Sequence, residues 1–336
     1  MESEETNEKI ALPNVSIIVA THNSESTVDE CLRSILELDY PKQSFEVIVI
    51  DGGSDDLTVE RVKAHPVKLI SHHFNAPASY NSALKTVKNE IVGFIDSDAK
   101  VESQWLKKLI KHLDNPKVAG AGGNIETWNK NNLIPRCIGY ELTFRYRRLP
   151  QEVKKVATMN FIVRKKVIDE VGGFNESLPT QYDTDLGARI VRSGYKLVFD
   201  SNVTCYHFHR PTLSAFFKQQ FKYGQNTWKV YFKYPHLVEG DQITDWWMNI
   251  QPVLYIVAAI SLVVSLIANF NQVGLWISLS IAFLITLQYM LSAAKISLIF
   301  HDLSAMFLIV LYLTRAFAWT LGGVTSFVGS VFTRGG

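Results

Sequence analysis

Residues 90–99 read Glu-Ile-Val-Gly-Phe-Ile-Asp-Ser-Asp-Ala, an apolar run that stops abruptly at Asp96-Ser97-Asp98. A buried strand of this kind delivers its last residues to the carboxyl edge of a sheet, where open α/β folds seat their ligands. Two acids there favour a cation. Hard divalent ions such as Mg2+ or Mn2+ take oxygen ligands, commonly one or two carboxylates plus phosphate oxygens of a substrate. Asp96 and Asp98 therefore point to a metal-bridged, phosphorylated ligand. The same residues also suit a plain strand-to-turn cap, because Asp and Ser side chains hydrogen-bond their own backbone in turns. Other chemically able residues sit at Asp51 in Asp-Gly-Gly-Ser-Asp-Asp, at Asp183 and Asp185 in Gln-Tyr-Asp-Thr-Asp-Leu, and at His207 and His209 in Cys-Tyr-His-Phe-His-Arg-Pro.

The elements that must position these groups follow from periodicity. Residues 15–20 are a β-branched run meeting the polar Thr21-His22-Asn23-Ser24, a strand entering a loop. Val28, Cys31, Leu32, Ile35 and Leu36 fall at helical spacing behind Ser26 or Thr27 as N-cap, and Pro41 ends that segment. Residues 45–50 form a second strand that delivers Asp51 to the same kind of edge. Gly52 and Gly53 permit a tight turn there, and an acid after a parallel strand suits ribose hydroxyls or a base edge. Residues 67–70 read as a third strand and 78–88 as a helix with Ala83, Leu84 and Val87 inward. Strands alternating with helices predict an α/β fold with a mostly parallel sheet and right-handed crossovers. No G-x-G-x-x-G opens a helix after the first strand, which argues against a dehydrogenase.

Further along, residues 158–164 read as a strand and 167–171 as a short helix stopped by Gly172-Gly173. Asp183 and Asp185 lie in the first turn of a helix, where its dipole favours negative charge, and helix capping is the other reading for either. A strand would place His207 and His209 on one face. The net charge of +2 over 336 residues argues neither for nor against nucleic acid, which is not an expected partner. Cys31, Cys137 and Cys205 are far apart and read as free thiols in a reducing compartment. Residues 1–9 are acidic and polar, not a signal-peptide pattern, so the catalytic part is expected in the cytoplasm.

Taken in order, residues 15–23, the Asp51 loop, Phe94-Ile-Asp-Ser-Asp98, Trp105-Leu106, residues 118–123, Gly172-Gly-Phe-Asn-Glu176, Asp183-Thr-Asp-Leu186, Arg189 and Gly194-Tyr195 resemble a family 2 glycosyltransferase of the glycosyltransferase A (GT-A) fold. The likeness runs over residues 13–235. It implies that Thr21, His22, Asn23 and Asp51 hold the nucleoside, with His22 where the family often has Tyr. Asp96 and Asp98 would bind the metal and diphosphate, and His207 would reach the metal or diphosphate. Asp183 matches the family's general base, with Tyr182 replacing the acid before it and Asp185 as the alternative base. Tyr80-Asn81 stands where relatives carry Arg-Asn. Gln219-x-x-Lys222-Tyr223 resembles the Gln-x-x-Arg-Trp that processive members place over acceptor and diphosphate.

The remaining chain is membrane-like. Phe217, Phe221, Trp228 and Phe232, with Lys218, Lys222, Lys229 and Lys233 alongside, predict a helix lying in a membrane interface. Apolar blocks at residues 252–268, 273–291 and 303–324 are of spanning length, the first two forming a hairpin through residues 269–272. Arg315 in the third is costly in lipid unless it snorkels, faces protein or pairs with a lipid phosphate. The lysines before Pro252, with Lys295 in the second connection, place those segments on the cytoplasmic side. The expected organisation is a catalytic GT-A domain at 13–212, an amphipathic interfacial segment at 213–251 and about three transmembrane helices at 252–332. The expected activity is inverting, metal-dependent, non-processive transfer from a UDP- or GDP-linked sugar to a lipid-borne acceptor. Alternatives are a polyisoprenyl-phosphate sugar synthase and a non-catalytic nucleotide-sugar-binding scaffold. A short apolar part without repeats argues against a transporter.

Overall fold

The computed structural model describes residues 12–71, 75–239, 242–244, 246–267 and 272–333. The polar leader at 1–9 and the hairpin connection at 269–271 lie outside the described residues. The first half alternates as expected: β1 (Val15–Thr21), α1 (Val28–Leu36), β2 (Phe45–Asp51), α2 (Thr58–Lys63), β3 (Lys68–Ser71), α3 (Ala76–Leu84) and β4 (Ile91–Asp96). Then follow β5 (Ala99–Val101), α4 (Trp105–Ile110), β6 (Val118–Thr127), α5 (Leu133–Tyr146), β7 (Glu152–Val153), β8 (Phe161–Arg164), α6 (Lys165–Glu170), α7 (Tyr182–Arg192) and β9 (Lys196–His207). The C-terminal part holds α8 (Leu213–Lys233), α9 (Trp246–Ile267), α10 (Gln272–Phe300) and α11 (Leu308–Thr333).

The strands form one sheet in the order β3-β2-β1-β4-β8-β6-β9-β5, with β7 also on β9. The β3-β2-β1-β4 half is parallel. Beyond β4 the sheet turns mixed, because β8 pairs antiparallel with both β4 and β6 while β6 and β9 run parallel. Thr158–Asn160, read as part of a strand, instead winds a single tight turn before β8. Asn160 spends its side chain locally there, accepting from Trp105 Nε1 at 2.7 Å and donating to the Asn124 carbonyl at 3.0 Å.

Side chains of β1 alternate between two cores, Ile17 and Val19 packing with Leu32, Ile35 and Trp105, and Ile18 with Tyr80, Phe94 and Ile190. That period of two is what a strand covered on both faces requires. A third core joins the domain to the C-terminal helices: Cys137 of α5 and Phe216 of α8 pack with Tyr289, Ala293, Leu308 and Tyr312.

Among the described residues three helices are long and apolar enough to cross a membrane, Trp246–Ile267, Gln272–Phe300 and Leu303–Gly329. The third is half covered by the rest of the chain, chiefly α8. Glycines permit that contact: a Cβ on Gly224 would sit 2.6 Å from the Trp319 backbone, and one on Gly322 only 2.3 Å from the Phe221 carbonyl oxygen. Within the segment read as interfacial, α8 packs between α11 and the catalytic domain, with Phe217 facing Phe317 at 6.2 Å between ring centroids.

Candidate active site

Strand register assembles the site. In the parallel half Thr21 lies opposite Asp51, and Ala20 opposite Asp96, so three loops leave the sheet at one edge. Ser24 and Ser97 join two of them at 2.8 Å between hydroxyls. Asn23, at φ +50°, uses a conformation Asn tolerates. Its side chain accepts from the Asp55 amide at 3.0 Å, tying in the third loop.

A cavity of about 400 Å3 opens at this edge, lined by Thr21, His22, Asn23, Asp96, Asp98, Tyr80, Tyr182 and Arg210 among others. Thr21 Oγ1 is buried without a hydrogen-bond partner, a polar atom available to a ligand. Asp51, expected beside it, is buried in its own turn. Its carboxylate accepts from Ser54 Oγ at 2.5 Å and from the amides of Gly53 and Ser54 at 3.1 Å. That loop turns at Gly53, φ +90°, where a side chain would be strained.

Antiparallel pairing of β5 with β9 sets Ala99 opposite His207 and so brings imidazole to the acid loop. His207 Nε2 is 3.3 Å from Asp98 Oδ1, and its Nδ1 is 3.1 Å from His209 Nδ1. Burial raises the pKa of Asp98, but His207 and then Arg210 outweigh it and hold the group below the usual carboxylate range. Asp96 is pushed up, by burial first and then by the charge of Asp98. Its Oδ1 accepts from the Tyr80 hydroxyl at 2.8 Å. Among the described residues no three His, Cys, Asp or Glu side chains form a ready metal cluster. Two crowded carboxylates with one imidazole nonetheless fit a hard cation that completes its shell with substrate oxygens. His209, its pKa lowered by burial and by His207, is neutral and leaves Nε2 without a partner.

A second cavity, about 320 Å3, shares Asp96 and Tyr182 with the first. Asp183, His207, His209, Gln219, Tyr223 and Arg315 line it, as do Glu141, Arg145, Lys155 and Trp319. Asp183 Oδ1 accepts from the Thr184 amide at 2.8 Å. Burial, then the charge of Asp183, pushes Tyr223 up to about 12, so it stays a donor. Tyr182 is likewise held protonated by burial and by Asp96.

Two expectations are corrected here. Asp185, the alternative base, is fully buried and lines neither cavity; it accepts from Arg189 Nε and Lys233 Nζ at 2.8 Å and from the Tyr234 hydroxyl at 3.0 Å. Arg189 meets its charge from within α7, and Lys233 pins α7 to the end of α8. Lys222 is exposed and outside the second cavity, which Gln219 and Tyr223 of the same motif line. Of the alternatives read for Arg315, it takes the protein-facing one. It is buried against Glu141 of α5, with 2.6 Å between Nη1 and Oε1.

Sequence reading passed over Arg210, Glu141, Arg145 and Lys155. Arg210 had a signal, its place directly after His207-Phe208-His209. Glu141 had a weaker one, an acid within an otherwise apolar stretch of α5. Arg145 and Lys155 had none.

Residues 16–172 match the model of glycosyl transferase family 2. The glycosyltransferase AglE of Haloferax volcanii is 27% identical over 230 residues, covering 66% of this chain and 75% of that protein. A Methanococcus voltae dolichyl N-acetyl-alpha-D-glucosaminyl phosphate 3-beta-D-2,3-diacetamido-2,3-dideoxy-beta-D-glucuronosyltransferase is 25% identical over 230 residues, 62% of this chain and 71% of that one. A mannosyltransferase from Pyrobaculum calidifontis, solved with GDP-mannose and Mn2+, superposes with a TM-score of 0.60 at 18% identity over 95% of this chain and 88% of its own. The sheet order, the acid-lined edge and these matches agree: residues 16–172 are a glycosyl transferase family 2 domain, set in a GT-A fold that is followed by helices apolar enough to cross a membrane.

Proposed function

We propose that this enzyme is an inverting, metal-dependent and non-processive hexosyltransferase that moves sugar from a UDP- or GDP-linked donor to a lipid-borne acceptor. The observation that carries the reading is the junction of two cavities at Asp96 and Tyr182, one at the acid-lined sheet edge and the other walled by α8 and α11. The first suits the donor. Thr21, His22 and Asn23 would contact the nucleoside, and Asp96, Asp98 and His207 would hold Mg2+ or Mn2+. That ion, when bound, neutralises charge on the leaving diphosphate. Asp51 would act through the shape of its loop.

The second cavity suits the acceptor. Asp183 takes the proton of the acceptor hydroxyl as its oxygen attacks the anomeric carbon; the bond to the diphosphate breaks and the electron pair leaves with it. Such a base is worth about 10²–10⁴-fold. Tyr182 and Tyr223 donate hydrogen bonds beside it. Gln219 and Arg315 line the acceptor path, and the apolar helices anchor the enzyme where lipid acceptors reside. The Methanococcus voltae relative, named for a dolichyl-phosphate-linked acceptor, supports that choice. Arg145, Lys155 and Arg315 around the same cavity favour a second reading, in which a polyisoprenyl phosphate is itself the nucleophile and Asp183 matters less.

Release of nucleoside diphosphate by full-length protein in detergent tests both readings. UDP- and GDP-sugars are supplied with Mn2+, with glycolipid, lipid-linked saccharide or polyisoprenyl phosphate, for wild type and Asp98→Ala. Metal-dependent turnover lost in Asp98→Ala supports the enzyme, and a strict need for polyisoprenyl phosphate selects the second reading. Turnover unaffected by EDTA and by Asp98→Ala overturns the metal role. The proposed cytoplasmic placement fails if Lys111→Cys on the exposed face is labelled by an impermeant maleimide from outside intact cells.

A further inference from the structure

We infer that Arg210 is the phosphate-binding residue of the donor cavity, its guanidinium grasping the diphosphate of the nucleotide. The inference rests on the donor reading above and concerns a residue that reading does not use. It begins with charge. Asp96 and Asp98 line this cavity, and two carboxylates repel an anionic diphosphate. A divalent cation bound to them would offset their charge and meet part of the diphosphate, leaving its other oxygens to a further cationic group. Among the described lining residues of this cavity Arg210 is the one Arg or Lys side chain; Arg145, Lys155 and Arg315 line the second cavity. Tyr80, which also lines the cavity, is fully buried and its hydroxyl is committed to Asp96, so it brings no charge.

Geometry makes Arg210 suited to the task. Its backbone is anchored on both sides. The Phe208 amide donates to the Asp98 carbonyl at 2.8 Å, and His209 exchanges backbone hydrogen bonds with the Asn129 side chain at 3.0 and 2.8 Å. Pro211 has a fixed φ and holds Arg210 before it out of the helical region, and Thr212 caps α8 through the Ala215 amide. The head, in contrast, is 46% exposed and makes only a loose ion pair, Nη2 lying 3.7 Å from Asp98 Oδ2. At that distance the pair is no hydrogen bond, so the guanidinium can meet a phosphate with or without a cation on the acids. Its planar fork matches two phosphate oxygens at once. As the glycosidic bond breaks, charge grows on those oxygens, and a guanidinium placed there stabilises the change.

The test separates phosphate binding from support of Asp98. Full-length wild type, Arg210→Gln and Arg210→Lys are titrated with UDP, GDP, uridine and guanosine, in Mn2+ and in EDTA. Arg210→Gln is expected to weaken whichever diphosphate the wild type binds roughly 10- to 100-fold, with the matching nucleoside held within about twofold. The same ratio appears in EDTA, and Lys recovers part of it. Unchanged diphosphate affinity in Arg210→Gln overturns the inference. Equal loss of nucleoside and diphosphate does the same by revealing a structural role, and a loss confined to Mn2+ assigns the effect to Asp98 and the metal. A wild type that binds neither diphosphate overturns the donor reading itself.

Discussion

The two cavities that meet at Asp96 are built in opposite ways. The first is made of loops that follow parallel strands, and its shape is set by backbone: the turn at Gly53, the αL residue Asn23 and the Gly52 amide bonded to the Thr21 carbonyl. The second is made of side chains from helices far apart in the chain, with charges buried among them. Glu141 and Arg315 are 174 residues apart and 2.6 Å from each other. Backbone-built sites keep their form under most single substitutions, whereas a side-chain-built site depends on each buried partner being matched. The nucleotide side is therefore expected to tolerate change around its acids, and the acceptor side to be the fragile half.

The sharpest way to break that contrast is Asp183→Asn. Turnover should fall about 10²–10⁴-fold while nucleoside diphosphate affinity stays unchanged, as measured by product release and by titration. Loss of nucleotide affinity in this variant would show that the two cavities are not separable. Next in size is Glu141→Gln, which leaves Arg315 buried without its partner and should cost about 3–5 kcal/mol of stability by melting in detergent. Burial raises the Glu141 pKa, but Arg315 and Arg145 outweigh it and hold the carboxylate ionised, so the pair carries charge at neutral pH. Removing both charges in Glu141→Gln with Arg315→Met should recover most of that stability. Acceptor KM would remain raised with donor KM intact; recovery of both would reduce the pair to a structural strut.

A smaller effect is expected for Asp185→Asn, about 2–3 kcal/mol from weakened charge-assisted hydrogen bonds. Burial opposes ionisation of Asp185, yet Lys233, Arg189 and Tyr234 depress its pKa below the ordinary 3.8. A depressed folded pKa means the stabilisation is complete above the unfolded value and disappears as pH falls through the folded one. The melting difference between wild type and Asp185→Asn should thus be flat near neutrality and close only below about pH 3.8. A change in the pH–rate profile would instead return Asp185 to the list of bases. Least of all is Lys222→Ala, an exposed position away from the cavity, with stability within about 0.5 kcal/mol of wild type. An acceptor-specific rise in KM there would show that the family-like motif on α8 reaches further than its side chain does in this fold.

Much of the nucleotide side was legible because its information is local. An apolar strand, a stop and an acid within ten residues read as a sheet edge, and β1, β2 and β4 place Thr21, Asp51 and Asp96 there through simple parallel register. Long apolar runs marked the three candidate spans for the same reason, since hydrocarbon demands an unbroken length of apolar residues. What the sequence did not contain was pairing between distant side chains. The antiparallel contact of β5 with β9, which sets His207 beside Asp98, has no periodic trace. Neither does the α8–α11 crossing at Gly224 and Gly322. Asp183 and Asp185 occupy the same helical turn with the same chemistry, and only packing against Lys233 and Tyr234 makes one a buried clamp and leaves the other facing a cavity. Periodicity reports which face of an element is buried; which partner meets a charge on that face is decided when the elements pack.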